Sequence, residues 1–578
     1  MGIIYRVNMA DLSVRVEEPA DDIRELGGRA LTSAIVGREV PPTCHPLSAE
    51  NKLVIAPGTL TGTGAPCSGR LSAGAKSPLT RGIKESNSGG MAAIDLSICG
   101  IQAIVVEGQP ADNRLYRLVV KPDGVRIEAA DELRGLGNYD TVARQFEACG
   151  DKVSCISIGQ AGELRAAAAS MAVTDVEGRP TRHCGRGGLG AVMGAKGLKV
   201  IVVDAAGGQR PRPVDQTAFR AGVAKFNAAL QGHPLTSQTL PTFGTNALTN
   251  VLNAAGGYPT RNFRTGQFEG AEAISGERQH DVIVQRNGVI AHACHRGCTI
   301  RCSRVYLDEH GQYLTKGPEY ETVWSHGGNC GIADLDAIAQ MDRLDDDLGL
   351  DTIETGATIA VAMEAGILPF GDAAGAIRLL KEVAQGTPLG RLVAAGAETL
   401  GRAYGVVRIP TVKGQSMPAY DPRAVQGIGV TYATSTMGAD HTAGYAVTAN
   451  LLGVGGHVDP LQPAGQMELS RDLQIATAAI DTSGLCLFVA FAVLDLPAAL
   501  EGICEIYGGL YGRLFTAADF LALGRKTLAR ERAFNAAAGF GPVDDRLPDF
   551  FLQEKLPPHN VVFTVPNCEL DRVFETIQ

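Results

Sequence analysis

No apolar run in this 578-residue chain approaches the roughly 18 residues that cross a bilayer. The opening MGIIYRVNMADLSVRVEE alternates apolar and polar residues, without the basic and then apolar stretches of a secretory leader. Basic charge is scarce as well: 52 Lys and Arg against 62 Asp and Glu leave a net charge of −10, which argues against a nucleic-acid surface. Thirteen cysteines lie scattered over the chain and do not form the dense pattern of a disulfide framework. No GxxxxGK(S/T) phosphate loop occurs, no glycine-rich segment opens a clear βαβ dinucleotide unit, and no segment repeats. These absences leave the expectation of a soluble, cytoplasmic protein with no membrane span and no nucleic-acid partner. In a reducing cytoplasm, clustered cysteines are then candidates for metal ligation.

What is present is an ordinary globular composition, 45% hydrophobic and 20% charged, with 71 glycines that signal many tight turns and close backbone approaches. The length exceeds what one core supports and predicts about three or four domains. Residues 1–210 read as β-rich, since IIYRVNM and SVRVEE alternate about an ADL turn and KLVIAPG, AIVVEG, LYRLVV, GVRIEA and KVIVVD are short β-prone runs. The Pro-containing break GGQRPRPVD marks a boundary. Helical spacing follows in DQTAFRAGVAKFNAALQ, LDAIAQMDRLDDDLGLD and AAGAIRLLKEVAQG. A second break falls at KGQSMPAYDPRAVQGIGV, before helices such as ELSRDLQIATAAIDTS. The predicted class is α+β: a β-rich N-terminal domain (1–210) followed by two mainly α-helical domains (211–415 and 416–578).

Cys294, Cys298 and Cys302 stand at even spacing in ACHRGCTIRCSR, and Cys486 follows far downstream in IDTSGLCLF. A local triplet plus one distant thiolate is the pattern a cubane 4Fe–4S cluster requires, whereas a structural zinc site presents two close pairs. Two glycine-rich segments carry arginines. PCSGRLSAGAKSPLTRGIKESNSGGMAA holds Arg70, Asn87 and Gly89, and GRPTRHCGRGGLGAVMGAKGLK holds Arg182 and Arg186. Tight turns would account for either alone; together they point to a phosphate-bearing cofactor held at two ends, because glycine admits backbone N–H groups and Arg grips phosphate with two donors. MDRLDDDLGLDTIETG crowds Asp345, Asp346, Asp347 and Asp351, either as a solvated helix face or as acceptors for a polar cofactor, and Asp481 has the same two readings. Glu319 and Glu321 in GPEYETVW, and Asp440 and His441 in GADHTAGY, are candidate acids and bases.

In their order along the chain, YRVNMADLSV, GAPCSGR, KSPLT, SNSGG, GRGGLGAVMGAKGLK, the cysteine triplet, GPEYET, DDDLGLD, MPAYDPRAVQGIGVTYATS, GADH and DTSGLC resemble the aldehyde ferredoxin oxidoreductase family. The resemblance covers nearly the whole chain. It implies a tungsten (or molybdenum) bis-pyranopterin beside a 4Fe–4S cluster, with Mg2+ bridging the pterin phosphates. It implies that Arg70, Asn87, Gly89, Arg182, His183 and Gly185, on a β-rich base, touch the pterins or their phosphates. Asp346, Leu350 and Asp351 would serve one pterin, and Asp481, Leu485 and Leu487 the other. Cys294, Cys298, Cys302 and Cys486 would hold the cluster, and Glu321 and His441 would form the acid/base pair beside the metal, with Glu319 as substitute for Glu321. The implied reaction oxidises aldehydes to carboxylic acids with water as oxygen source. The metal or a protonated His441 would polarise the carbonyl, and Glu321 would act as general base. Electrons would leave through the cluster to ferredoxin or a dedicated iron–sulfur subunit, and an oligomer is expected. The triplet here reads C-x3-C-x3-C where the family's usual form is C-x2-C-x3-C, one residue longer in the first loop. Two other readings fit some of the motifs: the tungsten subunit of an aromatic-ring-reducing, benzoyl-CoA reductase-like complex, and an iron–sulfur electron-transfer module without substrate chemistry.

Overall fold

The structure, a computed structural model, describes residues 2–577. Its N-terminal third is built on two sheets. The first contains β1 (Ile3–Asn8), β2 (Ser13–Glu17), β3 (Leu53–Pro57), β4 (Leu71–Lys76), β5 (Ile83–Ser88) and β6 (Ile101–Glu107), in the order β2-β1-β6-β3-β4-β5. The second contains β7 (Tyr116–Lys121), β8 (Gly124–Ala129), β9 (Ser154–Ser157), β10 (Met171–Val173), β11 (Arg182–Cys184) and β12 (Leu198–Val203), in the order β11-β10-β9-β12-β7-β8. Only β1–β6 and β7–β12 run parallel.

Strand pleating explains why the sheets pack as they do. Leu53, Ile55, Ile104 and Val106 point into a core shared with Leu118, Ile156, Val173 and Ile201 of the second sheet. Their neighbours Val54, Ala56, Ala103 and Val105 point the other way, under Leu31, Ala34 and Ile35 of the helix Gly28–Glu39. A central strand covered on both faces reads as an unbroken apolar run, which is how LVIAP and AIVVE appear in the sequence.

From Gln216 onward the chain is mostly helical, around a large core that includes Trp324, Tyr320, Ile338, Ile359 and Tyr432. Two β elements interrupt it, the smaller an antiparallel pair of two-residue strands, Thr411–Val412 and Gln415–Ser416. β13 (Val289–His292), β14 (Ser303–Leu307) and β15 (Tyr313–Lys316) form an antiparallel sheet, and the cysteine triplet is the loop between its first two strands. The helical and β-rich parts meet closely. Arg29 on the helix Gly28–Glu39 is 2% exposed and binds Glu531 at 2.8 Å and Asp481 at 3.2 Å, both on C-terminal helices. Among the described residues, no single helix is long and apolar enough to cross a membrane.

Candidate active site and cluster pocket

β5 and β11 lie against each other, so the strand ends carrying Asn87 and His183 face the same space. That space is a chamber of about 270 Å³. The β-rich base contributes Arg70, Lys84, Asn87, His183 and Gly185; Glu319, Glu321, Asp346, Leu350 and Asp351 come from the central region, and His441, Asp481 and Leu487 from the last third. A second cavity of about 320 Å³ shares Arg70, His183, Glu321 and His441 and adds Gly89, Arg182, Cys294, Cys302 and Cys486. Its outer wall is apolar, with Leu473, Ile480, Phe488, Phe491 and Leu494. Of the residues singled out from sequence, Cys298, Leu485, Asp345 and Asp347 line neither space. Leu485 packs into the core at 1% exposure, and Cys298 stands behind Cys294 with their side chains in contact.

Local structure places each group. DDDLGLD is a helix end, a cap and a new helix start. The helix Leu335–Leu348 stops at Gly349 in the left-handed conformation (φ 73°), Leu350 follows, and Asp351 caps the helix Thr352–Glu364 by accepting from the Ile353 N–H at 3.0 Å. The acidic run is not a solvated face. Asp345 is fully buried against His326 at 2.6 Å, and Asp346 accepts from Lys316 Nζ at 2.7 Å and lies 3.1 Å from His183 Nε2. Burial opposes ionisation of Asp346, yet Lys316 and His183 hold its carboxyl below the usual range. Asp481 ends the helix Gln466–Ser483, where burial pushes it up to about 6 against the pull of Arg29 and Arg70.

The positive side of the chamber is equally built. Arg70 donates to the Asn87 side chain and to the Asn87 carbonyl at 3.4 Å, and its own N–H bonds Gly484 O at 3.1 Å. Burial works against its charge, but the thiols of Cys486 and Cys294 and the Asp481 carboxyl outweigh it. Arg182 donates to Ser303 Oγ at 2.6 Å and sits 3.5 Å from Glu319, with Nε buried and unpartnered. Lys84 (bound to Asp440 at 3.1 Å), Arg186 (to Asp351 at 3.1 Å) and Lys316 complete the set. Arg186 and Asp440 were candidates from sequence, as a phosphate-gripping arginine and as an acid or base, whereas Lys84 and Lys316 were not. Lys84 is the most legible in retrospect, as a lysine inside a strand that is otherwise buried.

Glu321, in the first turn of the helix Tyr320–His326, faces His441, which opens a short turn capped by Asp440. Glu321 Oε1 lies 3.3 Å from His441 Nε2, and Oε2 accepts from the Ala419 N–H at 3.1 Å. Glu321 Oε1 and His441 Nδ1 are buried without a hydrogen-bond partner. Burial pushes Glu321 up to about 8 and His441 down to about 4. Near neutral pH the carboxyl therefore carries the proton and the imidazole is neutral. Desolvation disfavours both charges and the 3.3 Å contact is one between neutral groups, directions that differ from the roles the resemblance implies, a basic Glu321 and, as one of two ways to polarise the carbonyl, a protonated His441. Tyr420 and Tyr445, hydroxyl to hydroxyl at 3.0 Å, wall the histidine ring.

The cysteines converge from two loops. Cys294, Cys298 and Cys302 lie in the β13–β14 loop, and Cys486 follows the helix Gln466–Ser483 after a left-handed Gly484. Donor atoms of Cys294, His295 and Cys298 lie within 4.8 Å of one another. His295 is wholly buried, its Nδ1 bonded to Arg296 O at 2.8 Å and its Nε2 unpartnered. Sequence reasoning missed a fifth cysteine beside these loops, Cys67 of GAPCSGR, whose N–H donates to Gly297 O at 2.9 Å and whose sulfur lies 3.3 Å from Thr299 Oγ1. The motif was visible, but nothing in its spacing ties it to residues more than two hundred positions away.

Fold and site together define a protein built around a buried chamber of paired cations and carboxylates fit for a large polar group, beside a cavity lined by cysteine thiols. Comparison with known proteins makes this specific. The family model "Aldehyde ferredoxin oxidoreductase, N-terminal domain" matches residues 4–205, and "Aldehyde ferredoxin oxidoreductase, domains 2 & 3" matches residues 222–575. The chain is 36% identical to a tungsten-containing aldehyde ferredoxin oxidoreductase of Pyrococcus furiosus and 37% identical to one of Thermococcus kodakarensis. Each comparison covers 96% of this chain and 92% of the relative. A P. furiosus aliphatic sulfonate oxidoreductase, WOR-like subunit, is 26% identical over 78% of this chain and 76% of its own. Among solved structures, the active-site complex BamBC of benzoyl coenzyme A reductase shares the fold with a TM-score of 0.82 at 19% identity, covering 100% of this chain and 94% of the other. The protein belongs to the aldehyde ferredoxin oxidoreductase family.

Proposed function

We propose that the protein oxidises aldehydes to carboxylic acids at a tungsten bis-pyranopterin, RCHO + H2O → RCOOH + 2H+ + 2e−, and passes the electrons to ferredoxin or a partner iron–sulfur subunit. The observation that carries this reading is the Glu321–His441 pair, turned with unpartnered atoms into a chamber that adjoins the thiol ring. The residues present fit the group. Arg70, Arg182 and His183, with Arg182 Nε still without a partner, suit phosphate and pterin oxygens. Asp346, Asp351 and Asp481 suit pterin N–H groups, and Asn87, Gly89, Gly185, Leu350, Leu485 and Leu487 supply the surrounding backbone and walls. A magnesium ion between the phosphates belongs to the same reading, as do a cytoplasmic location and an oligomeric state. Cys294, Cys298, Cys302 and Cys486 would hold a 4Fe–4S cluster. When bound, the metal cofactor supplies the two-electron oxidation and the cluster the one-electron exit.

The chain's own residues orient the substrate and move protons. The apolar wall around Phe488 and Phe491 receives the organic part of the aldehyde and keeps bulk water out. The Glu321 carboxyl, protonated at neutral pH, donates a hydrogen bond to the carbonyl oxygen. Neutral His441 accepts the proton of the attacking water, and Glu319 stands in reserve beside Arg182. Glu321→Gln and His441→Ala should each retain metal and iron yet lose roughly 10²–10⁴-fold in turnover. Full activity in both variants would overturn the assignment. The BamBC-like alternative rests on fold alone at 19% identity, and reduction of an aromatic acyl-CoA without aldehyde oxidation would establish it instead.

A further inference from the structure

The loop that carries the cysteine triplet turns a basic face to solvent. Arg296, Gly297, Thr299 and Arg301 are exposed there, interleaved with the buried or half-buried cysteines. Gly297 forms the tip, at φ +85°, and a Cβ on it would meet nothing within 4 Å. No Asp or Glu occurs between Asp281 and Asp308, although the chain carries 62 acidic residues and a net charge of −10. Glu177, which approaches the first strand of this element, is engaged by His292 at 2.7 Å. Two further segments extend the face. The Cys67 N–H donates to Gly297 O at 2.9 Å, and in the same segment Thr61 O accepts from Ser97 Oγ at 2.7 Å. Ser97 lies in the helix Ala92–Ile98, whose last carbonyl accepts from the Gln209 N–H at 2.9 Å, and Gln209 leads into exposed Arg210 and Arg212. These segments too lack acids, between Glu50 and Glu85 and between Asp204 and Asp215. Among the described residues, none of the four arginine side chains forms an ion pair or a hydrogen bond.

We propose that this face is the docking surface of an acidic one-electron carrier protein of the ferredoxin type, with Arg296 and Arg301 at its centre and Arg210 and Arg212 at its rim. The proposal deepens, and rests on, the function given above, in which electrons leave through a cluster on Cys294, Cys298, Cys302 and Cys486. Electron transfer between clusters weakens steeply with distance, so a carrier must settle where the ligand loop itself reaches the surface. Charge then selects the carrier. A net charge of −10 repels an acidic protein at long range, and uncompensated arginines gathered on one face orient it at short range. Each guanidinium can take a carboxylate with two donors, and none of the four is engaged within the chain. Gly297, standing between Arg296 and Arg301 without a side chain, lets a partner's backbone come close to the cluster loop.

The test measures binding and turnover on holoenzyme purified without oxygen, with an acidic ferredoxin as the carrier and benzyl viologen as a small acceptor that needs no docking face. The variants are Arg296→Glu and Arg301→Glu, with Arg126→Glu as a control of equal charge change. Arg126 lies on β8, at the opposite edge of the second sheet from β11. Arg296→Glu and Arg301→Glu are each expected to lower kcat/KM for the ferredoxin by roughly tenfold at low ionic strength and to flatten its salt dependence, with iron content and viologen rate as in wild type. Wild type should bind ferredoxin more weakly as salt rises, and Arg126→Glu should match it. A wild type that oxidises no aldehyde with viologen would sink the function proposed above, and ferredoxin binding to the same proteins would still decide the docking face. Equal ferredoxin kinetics and affinity in wild type and both loop variants, or an affinity indifferent to salt, would overturn the proposal. An equal loss in Arg126→Glu would overturn it as well, by showing an effect of net charge alone. If a loop variant loses iron, Arg210→Glu and Arg212→Glu, outside the loop, make the same measurement.

Discussion

At the scale of single residues, desolvation governs the chemistry. Glu321 and His441 face each other at 3.3 Å, and burial moves the first up to about 8 and the second down to about 4. In the proposed mechanism the active form has Glu321 protonated and His441 neutral. Turnover should therefore hold across a plateau between about 4 and about 8, falling on the alkaline side as Glu321 loses its proton and on the acid side as His441 gains one. In Glu321→Gln the alkaline limb should vanish from the kcat/KM profile; a limb that persists unchanged would assign it to another group. Which residues line the chamber was largely legible in the sequence, because GPEYET, GADH and DTSGLC are short and unusual. Their protonation was not, since it depends on how completely three separate segments bury one another. Cys298 and Leu485 illustrate the same limit: the motif names them, but only the fold shows that their side chains turn away from both cavities.

At the scale of elements, turns and close backbone contacts set the site. Gly28 adopts φ +46°, and a Cβ there would lie 2.2 Å from the Asp481 carbonyl. Gly58 meets Gly484 so closely that its Cβ would lie 2.1 Å from the Gly484 Cα. These contacts seat the β-rich base against the helix that ends at Asp481 and Gly484. Gly28→Ala should cost about 2–4 kcal/mol, the sum of left-handed strain and overpacking, seen as a lower denaturation midpoint and weaker retention of the cofactor. A midpoint equal to wild type would mean that this junction is loose. Lys316 on β15 is the second such element, bridging Asp342 at 2.8 Å and Asp346 at 2.7 Å. Asp346 is held below its ordinary range, so it contributes stability at pH above its unfolded value, and that contribution fades on acidification. Lys316→Met leaves two buried carboxyls uncompensated and should destabilise by about 3–5 kcal/mol at neutral pH. The deficit should shrink toward low pH as the carboxyls protonate, and urea titrations at two pH values check the sign. The β13–β15 sheet was the element least legible in the sequence. Its strands are short, and ACHRGCTIRCSR between them has no strand or helix period.

At the scale of the molecule, three stretches far apart in sequence close on one chamber, and burying charges of both signs there has a purpose only if something polar is held between them. Alternating runs and helical spacing showed the β-rich start and helical remainder, because pleat and helix periods are local properties of sequence. The pairing order of the twelve strands in two sheets was not readable, since it depends on contacts such as β1 with β6 across nearly a hundred residues. The same separation hid the junction of Arg29 with Glu531.

The most direct measurement is elemental analysis of the protein purified without oxygen, with iron, tungsten, molybdenum and zinc quantified per chain. The account predicts about four irons, as a 4Fe–4S cluster requires, together with one tungsten or molybdenum per chain. Iron without the heavier metal, in protein from a host able to make the cofactor, or zinc alone, would contradict it.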